Sequence, residues 1–564
     1  MPTLFTNADF VPLSAPDATF EALLAADDGT IAFVGPLEEA RERAGSLAKA
    51  GDALASPVRE IGLDGACVLP GFIDAHSHLT GTSQYFVAAD LSGALSFAEI
   101  AERLRAFAVR SRPDADGIIL GTGYDQNELA ERRHPDRHLL DEVSADVPVA
   151  IIHASSHLCV ASTRLLALAG LSADTPDPDG GRYGREADGG LSGYCEEPAA
   201  MWPVLGVVQE RQRTGMGELI GQMQGVYLEQ GITTCQDGAT TADMADQLIG
   251  VAEAGRLVMD VVAYPMYGEN VDGMLARHAA YDTARLEGPA GYGPDGTASP
   301  AYVNRLRIGG LKMFLDGSPQ GRTAWLSRPY APGPEGPGYR GYPALSDADA
   351  LAFARRAVDE GRQLLAHVNG DAAAEQLLAV YSRALADSPH PRKRELRPVS
   401  IHTQVVRRDQ FERMGMVGMV PSVFASHIWH WGDVHLRNLG PERARRISAC
   451  RDALDCGLAL TLHCDTPVLR PNLLEAIWCA VERRTKAGVR LDPAQAIGAY
   501  EGLRAVTVSA AWQYGEEARK GTLEVGKLAD LAVLSANPLR VAPEELRSIR
   551  VLRTVKEGRT VWEA

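Results

Sequence analysis

Between residues 68 and 463 the sequence repeats one pattern: a short apolar run suited to a buried strand, closed by polar or turn residues and in several cases followed by a helical stretch. The candidate strands are Val68 to Asp74, Ile232 to Cys235, Val261 to Tyr264, Ile308 to Phe314, Gln363 to His367, Val399 to Thr403, Val417 to Pro421 and Leu458 to His463. Helical segments such as Asp347 to Glu360 and Ala372 to Ala386 lie between them. Alternation of this kind specifies a parallel sheet with crossover helices. Eight strands make closure into a TIM-like (β/α)8 barrel the natural solution, so the predicted fold class is α/β.

Both ends of the chain read differently. Thr3 to Val11, Ile31 to Gly35 and Val58 to Gly62 are short and turn-bounded, as are Asp530 to Leu534 and a hairpin over Val551 to Trp562 around Glu557-Gly558. They predict a small β-sandwich-like domain made of both termini, residues 1–67 and 517–564, beside a barrel spanning 68–516. The interval of about 85–202 is too long for a βα loop. Its apolar runs Ile118 to Leu120 and Val147 to Ile152, with the Gly/Asp/Pro-rich stretch Asp174 to Gly193, predict an inserted lobe placed to cover the barrel mouth.

Chemistry enters where the runs end. The strand from Leu69 closes in His76-Ser77-His78, and because strand side chains alternate faces, both imidazoles point the same way and can share one metal ion. Taken alone, a His-x-His pair is as often an ordinary packed pair. Lys312, His367, His402 and Asp465 lie in or just past later runs, at the strand ends where barrel enzymes keep catalytic residues. Imidazole and carboxylate suit zinc and related divalent ions. An ammonium does not, because it repels a cation. A lysine deprotonated by burial can instead react with carbon dioxide, and the carbamate formed has two oxygens able to bridge two ions. A Lys312–Asp316 salt bridge is the competing reading.

Together the Pro-Gly-Phe-Ile-Asp-Ala-His-Ser-His segment at 70–78, the strand-end Lys312, His367 and His402, the His-Cys-Asp-Thr-Pro segment at 463–467 and Gly521 to Asp530 resemble the amidohydrolase superfamily. Gly309 to Gly317, His367 to Asp371 and the inserted lobe are similar to amidohydrolase family 3, the branch that includes N-substituted formamide deformylases. The resemblance covers nearly the whole chain. It implies a metal-dependent hydrolase that uses metal-activated water to cleave a C–N bond of an amide-type small molecule, such as an N-substituted formamide, an N-acyl amine or a cyclic amide. Carried over by position, it implies that His76 and His78 bind one ion, carboxylated Lys312 bridges, His367 and His402 bind a second, and Asp465 is ligand and general base. The expected cofactor is a divalent metal, zinc, as one or two ions, with a carbon dioxide-derived carbamate on Lys312.

Candidate substrate-binding residues are Tyr124, Asp125 and His157 in the lobe, Asp316 and Trp325 after the fourth strand, His430 in the aromatic cluster His427 to Trp431, and His463, which stands where family members often carry a small residue. Two other readings stay open. The same site would serve an ester or carbamate hydrolase or a ring deaminase, and a metal-stabilised binding protein without turnover would keep the ligands. The presence of Asp465 beside a full ligand set counts against the last.

A net charge of -17 argues against nucleic acid and anionic membranes as partners. That leaves a small-molecule substrate, with a homodimer as the base-rate expectation. The eight cysteines form no C-x-x-C pair, no apolar segment is long enough to span a bilayer, and the N-terminal residues lack a leader pattern. These features predict a reduced, cytoplasmic protein.

Overall fold

The computed structural model describes residues 2–50, 58–113, 116–211, 216–293, 296–333 and 335–564. Met1 and residues 51–57 of the expected N-terminal β segment, and residues 114–115 of the expected lobe, lie outside the described residues.

Eight parallel strands follow one another along the middle of the chain: β1 (Phe72–Ile73), β2 (Ile232–Thr240), β3 (Asp260–Pro265), β4 (Leu306–Ile308 continued by Gly310–Phe314), β5 (Gln363–Val368), β6 (Val399–His402), β7 (Val420–Val423) and β8 (Thr461–Leu462). The first half of β4 ends a sheet in the order β4-β3-β2-β1, and its second half begins a sheet in the order β4-β5-β6-β7-β8. The break falls at Gly309, where any side chain would overlap Val262 and Tyr264 on β3. A parallel bridge from Met266 to Lys312 carries the β3–β4 contact past the break.

At the far ends of the two sheets the chain segments after β1 and β8 meet. The Asp465 amide donates to the His76 carbonyl at 3.1 Å and the His78 amide to the Thr466 carbonyl at 2.7 Å. The buried Asp74 carboxyl ties the same two segments by accepting from the amides of His76 and Cys464, both at 3.3 Å. The strands are buried on both faces even where they carry polar residues, as β2 does at Thr233, Thr234, Gln236 and Asp237. The helix Asp347–Asp359 shows how: Ser346 accepts the Asp349 amide at 3.1 Å as its N-cap, and Ala350, Phe353, Ala354, Ala357 and Val358 are buried at helical spacing.

Besides β2, which runs on from Cys235 to Thr240, three expected strands differ in extent. Cys67–Pro70 leaves the parallel run and pairs antiparallel with Leu531–Leu534, so only Phe72–Ile73 remains for β1. Val417 ends the helix Arg408–Met416, and Gly418, with φ 65°, turns the chain before β7 begins at Val420. The run from Leu458 pairs only at Thr461–Leu462.

The chain ends build two further sheets. One has the order Ile31–Gly35, Ala22–Ala25, Thr3–Thr6, Arg59–Gly62; the other joins both termini in the order Asp9–Phe10, Cys67–Pro70, Leu531–Leu534, Val551–Lys556, Arg559–Glu563. Between β1 and β2 the chain forms a mixed six-stranded sheet running from Ala89–Asp90 to Leu191–Glu196 and edged by Arg182–Arg185. It then returns through the helix Glu197–Arg211. Among the described residues no helix is long and apolar enough to cross a membrane, and all eight cysteines are unpaired.

Candidate metal centre

The turn after β1 carries His76 and His78, β4 carries Lys312, β5 carries His367, β6 ends in His402, and Asp465 follows β8. The fold brings all six together. Oδ1 of Asp465 lies 3.5 Å from Nε2 of His76 and 3.4 Å from Nε2 of His78, and Oδ2 lies 3.9 Å from Nδ1 of His402. Lys312 Nζ is 3.5 Å from His76 Nε2. The His367 ring stands 4.5 Å from that of His402, centroid to centroid. His402 and Asp465 adopt left-handed backbone conformations, with φ 74° and 55°, a strain of about 1–3 kcal/mol at each residue that recurs where function dictates side-chain direction.

The donor set fits a divalent ion. His76, His402 and Asp465 present ligand atoms within 4.8 Å of one another. Ring-to-carboxylate distances of 3.4 to 3.9 Å are too long for good hydrogen bonds; they suit groups arranged around a common centre. Burial pushes the imidazoles of His76, His367 and His402 well below their ordinary pKa, helped by the Lys312 and His157 charges for His367 and by neighbouring histidines for His402. Neutral imidazole is the form that coordinates. Burial likewise pulls the Lys312 amine down to about 7, with Asp465 opposing. The competing Lys312–Asp316 pair does not form. Asp316 accepts instead from the amides of Trp325, Asn369 and Gly370 at 3.0, 3.0 and 2.7 Å, and burial raises its carboxyl to about 7.

A layer of polar side chains orients these groups. Gln236 Oε1 lies 2.8 Å from His76 Nδ1, Asp316 Oδ1 3.3 Å from His367 Nδ1, and Glu197 Oε2 2.7 Å from His157 Nδ1. Gln236 and Glu197 escaped the sequence reading. Gln236 carried the same signal as the ligands, a polar residue ending the apolar run from Ile232; Glu197 carried none.

A cavity of about 540 Å³ opens onto the centre, lined by His76, His78, His157, His367, His402 and Asp465. Its remaining wall is largely apolar, with Leu120 and Ile152 from the inserted sheet, Met201, Leu205 and Val208 from the helix Glu197–Arg211, and Phe314 from β4.

Of the expected substrate-binding residues, only His157 reaches this wall. Asp125 and His430 line an adjoining cavity of about 480 Å³ that shares Gln84, Ile152, Ser156, Pro467 and Val468 with the first. There Asp125 accepts from the Trp431 indole at 3.0 Å and Glu475 holds His430 at 2.9 Å. Tyr124 is buried and gives its hydroxyl to His134 at 3.2 Å. Asp316 sits behind His367 as its orienting group, and Trp325 contributes a backbone amide to Asp316. His463 is buried between Ser422 Oγ at 2.9 Å and His402 Nδ1 at 3.2 Å, and burial pushes its imidazole down to about 3. Tyr124, Asp316 and His463 are buried against other protein groups and do not line the cavity, and Trp325 packs, partly buried, beside the core.

Residues 59–562 match the amidohydrolase family. The chain is 28% identical over 565 residues to N-substituted formamide deformylase of Arthrobacter pascens, covering 98% of this chain and 97% of that protein. It is 26% identical over 558 residues to the protein YtcJ of Bacillus subtilis (strain 168), covering 95% of each. Among solved structures, an uncharacterized metal-dependent hydrolase from Pyrococcus horikoshii superposes with a TM-score of 0.73 at 24% identity, over 96% of this chain and 99% of the other, a likeness of fold.

Proposed function

We propose that this chain, which belongs to the amidohydrolase family, hydrolyses a C–N bond of an amide-type small molecule at the cluster of His76, His78, Lys312, His367, His402 and Asp465. One observation carries the reading: four imidazoles, a buried lysine and a carboxylate from five different strands or the turns after them converge, five of the six side chains lining the floor of one cavity. We take the eight parallel strands as a TIM-like (β/α)8 barrel and the terminal sheets as a β-sandwich-like domain packed beside it.

In this reading His76, His78 and Asp465 would hold one divalent ion, and His367 and His402 a second, with Lys312, as a carbamate, a further ligand; zinc suits these donors. When bound, such ions make water acidic near neutral pH and polarise a carbonyl. Asp465 takes the proton of the attacking water and returns it to the departing amine nitrogen, the reversal of roles expected of one positioned base. Its backbone tie to His76 keeps the carboxylate between the two imidazoles. Apart from the centre and His157, the cavity wall carries no ionisable side chain among the described residues. An amide with an apolar substituent therefore suits it, because apolar contact orients the substrate without a buried charge to satisfy.

The test is a screen of metal-replete protein against N-substituted formamides, N-acyl amines and cyclic amides, with Asp465→Asn as the blank. N-substituted formamides head the panel because one relative is named for them. Amine release by wild type alone supports the reading. Turnover confined to esters, carbamates or ring amines would move the reaction class, and tight metal with no turnover would leave a binding protein.

A further inference from the structure

Three imidazoles at the cavity floor share one device. A buried side-chain oxygen holds Nδ1 of His76 (Gln236, 2.8 Å), of His367 (Asp316, 3.3 Å) and of His157 (Glu197, 2.7 Å). A ring held in this way through Nδ1–H leaves its lone pair on Nε2, the arrangement found behind metal-bound histidines. Two of the three rings belong to the ligand set proposed above; His157 does not.

His157 nevertheless faces the same place. Its Nε2 is 3.1 Å from Nε2 of His367, and its ring centroid is 4.8 Å from that of His367. With both Nδ1 atoms held by carboxylate oxygens, the two Nε2 atoms face each other and call for a shared proton or a cation between them; the Asn369 side-chain amide stands 3.3 Å from the His367 one. Two nitrogen ligands at about 2.0–2.1 Å from one ion stand about 3 Å apart, which matches the separation found. The support behind His157 is rigid. Glu197 is 1% exposed, its own amide donates to the His157 carbonyl at 2.8 Å, and its backbone takes a left-handed φ of 67°. Its second oxygen has no hydrogen-bond partner among the described residues.

We propose that His157, oriented by Glu197, is a further metal-binding side chain that joins His367 on the same divalent ion. This rests on the metal-dependent reading above. It makes the segment between β1 and β2 part of the centre, since His157 precedes the strand Leu158–Ala161 and Glu197 begins the helix that walls the cavity.

The experiment compares wild type, His157→Ala, Glu197→Gln and a control at the exposed His138→Ala. Zinc affinity is measured by competition with a chromophoric chelator, the visible spectrum is recorded after loading with cobalt, and the fold of each metal-free variant is checked by circular dichroism. His157→Ala should weaken one ion roughly 10–100-fold and change the cobalt bands; Glu197→Gln should do the same to a smaller degree, and His138→Ala should match wild type. Wild-type affinity and spectra in both His157→Ala and Glu197→Gln overturn the proposal, and a raised KM alone would make His157 a substrate contact. If His157→Ala fails to fold, Glu197→Gln decides by the same readouts. A wild type that binds no divalent ion overturns both this proposal and the hydrolase reading, whereas a metal-binding wild type with insensitive variants overturns this one only.

Discussion

Oε1 of Gln236 lies 2.8 Å from Nδ1 of His76, and Nε2 of the same amide donates to the Ala75 carbonyl at 2.7 Å. The second bond settles which way the amide faces, so its oxygen must accept from Nδ1–H, and the His76 lone pair is left on Nε2 toward Asp465. Gln236→Leu keeps the volume and loses this control. Metal affinity should fall roughly 10–100-fold, measured by chelator competition, and an unchanged affinity would show that His76 is held by packing alone.

Asp465 stands within 3.5 Å of both His76 and His78. Asparagine keeps one oxygen of similar shape there but accepts no proton. Asp465→Asn should retain metal by elemental analysis while kcat drops about 10²–10⁴-fold. Full turnover by this variant would remove Asp465 as the base.

Burial brings the Lys312 amine to about 7, which leaves a large neutral fraction to react with carbon dioxide. Metal-free protein refilled with zinc should recover fully only when bicarbonate is present, and ¹³C-bicarbonate should give a carbamate signal by NMR. Lys312→Met should lose both the signal and the bicarbonate effect. Equal recovery in carbon dioxide-free buffer, with an unmodified lysine, would contradict the bridge.

His435 is buried beside His427, 3.1 Å from its Nδ1, and burial pushes its imidazole down to about 3. The unfolded chain takes up a proton at about 6.5 that the fold refuses. Its contribution is therefore intact above about pH 6.5, and stability is lost as pH falls from there toward 3. One proton corresponds to about 1.4 kcal/mol per pH unit. In metal-free protein, His435→Gln should make the loss of stability between pH 5.5 and 4.5 smaller by about that amount, read from urea unfolding. Identical slopes in the two proteins would contradict the assignment.

Trp202 lies on the helix that walls the cavity and remains 42% exposed. Trp202→Ala should raise KM about tenfold for substrates with a bulky apolar substituent, the equivalent of about 1.4 kcal/mol of contact, and leave kcat unchanged. Small formamides should be indifferent to the change. A fall in kcat across all substrates would place the side chain nearer the reacting bond than the wall.

Local patterns were enough to identify several parts of this protein. Strand alternation predicted that His76 and His78 share a face, but both lie in the turn after Phe72–Ile73, and it is the fold of that turn that brings them to the same carboxylate. Apolar runs closed by polar residues marked Lys312, His367, His402 and Asp465, although Lys312 sits inside Gly310–Phe314 and Asp465 lies three residues past Thr461–Leu462. The extent of the strands was less legible, because Cys67–Pro70 and Phe72–Ile73 form one apolar stretch that divides between two sheets only when Leu531–Leu534 arrives from the other end of the chain.

What the amino-acid order determined by itself was therefore the set of elements and the chemical types at their ends, since both depend on neighbours a few residues away. Tertiary structure decided who meets whom. Gln236 reaches His76 across 160 residues and Glu197 reaches His157 across 40; the same packing turned Tyr124 and His463 to His134 and Ser422. Such pairings follow from chain closure and the need to satisfy every buried polar group, conditions that exist only once the segments are packed together.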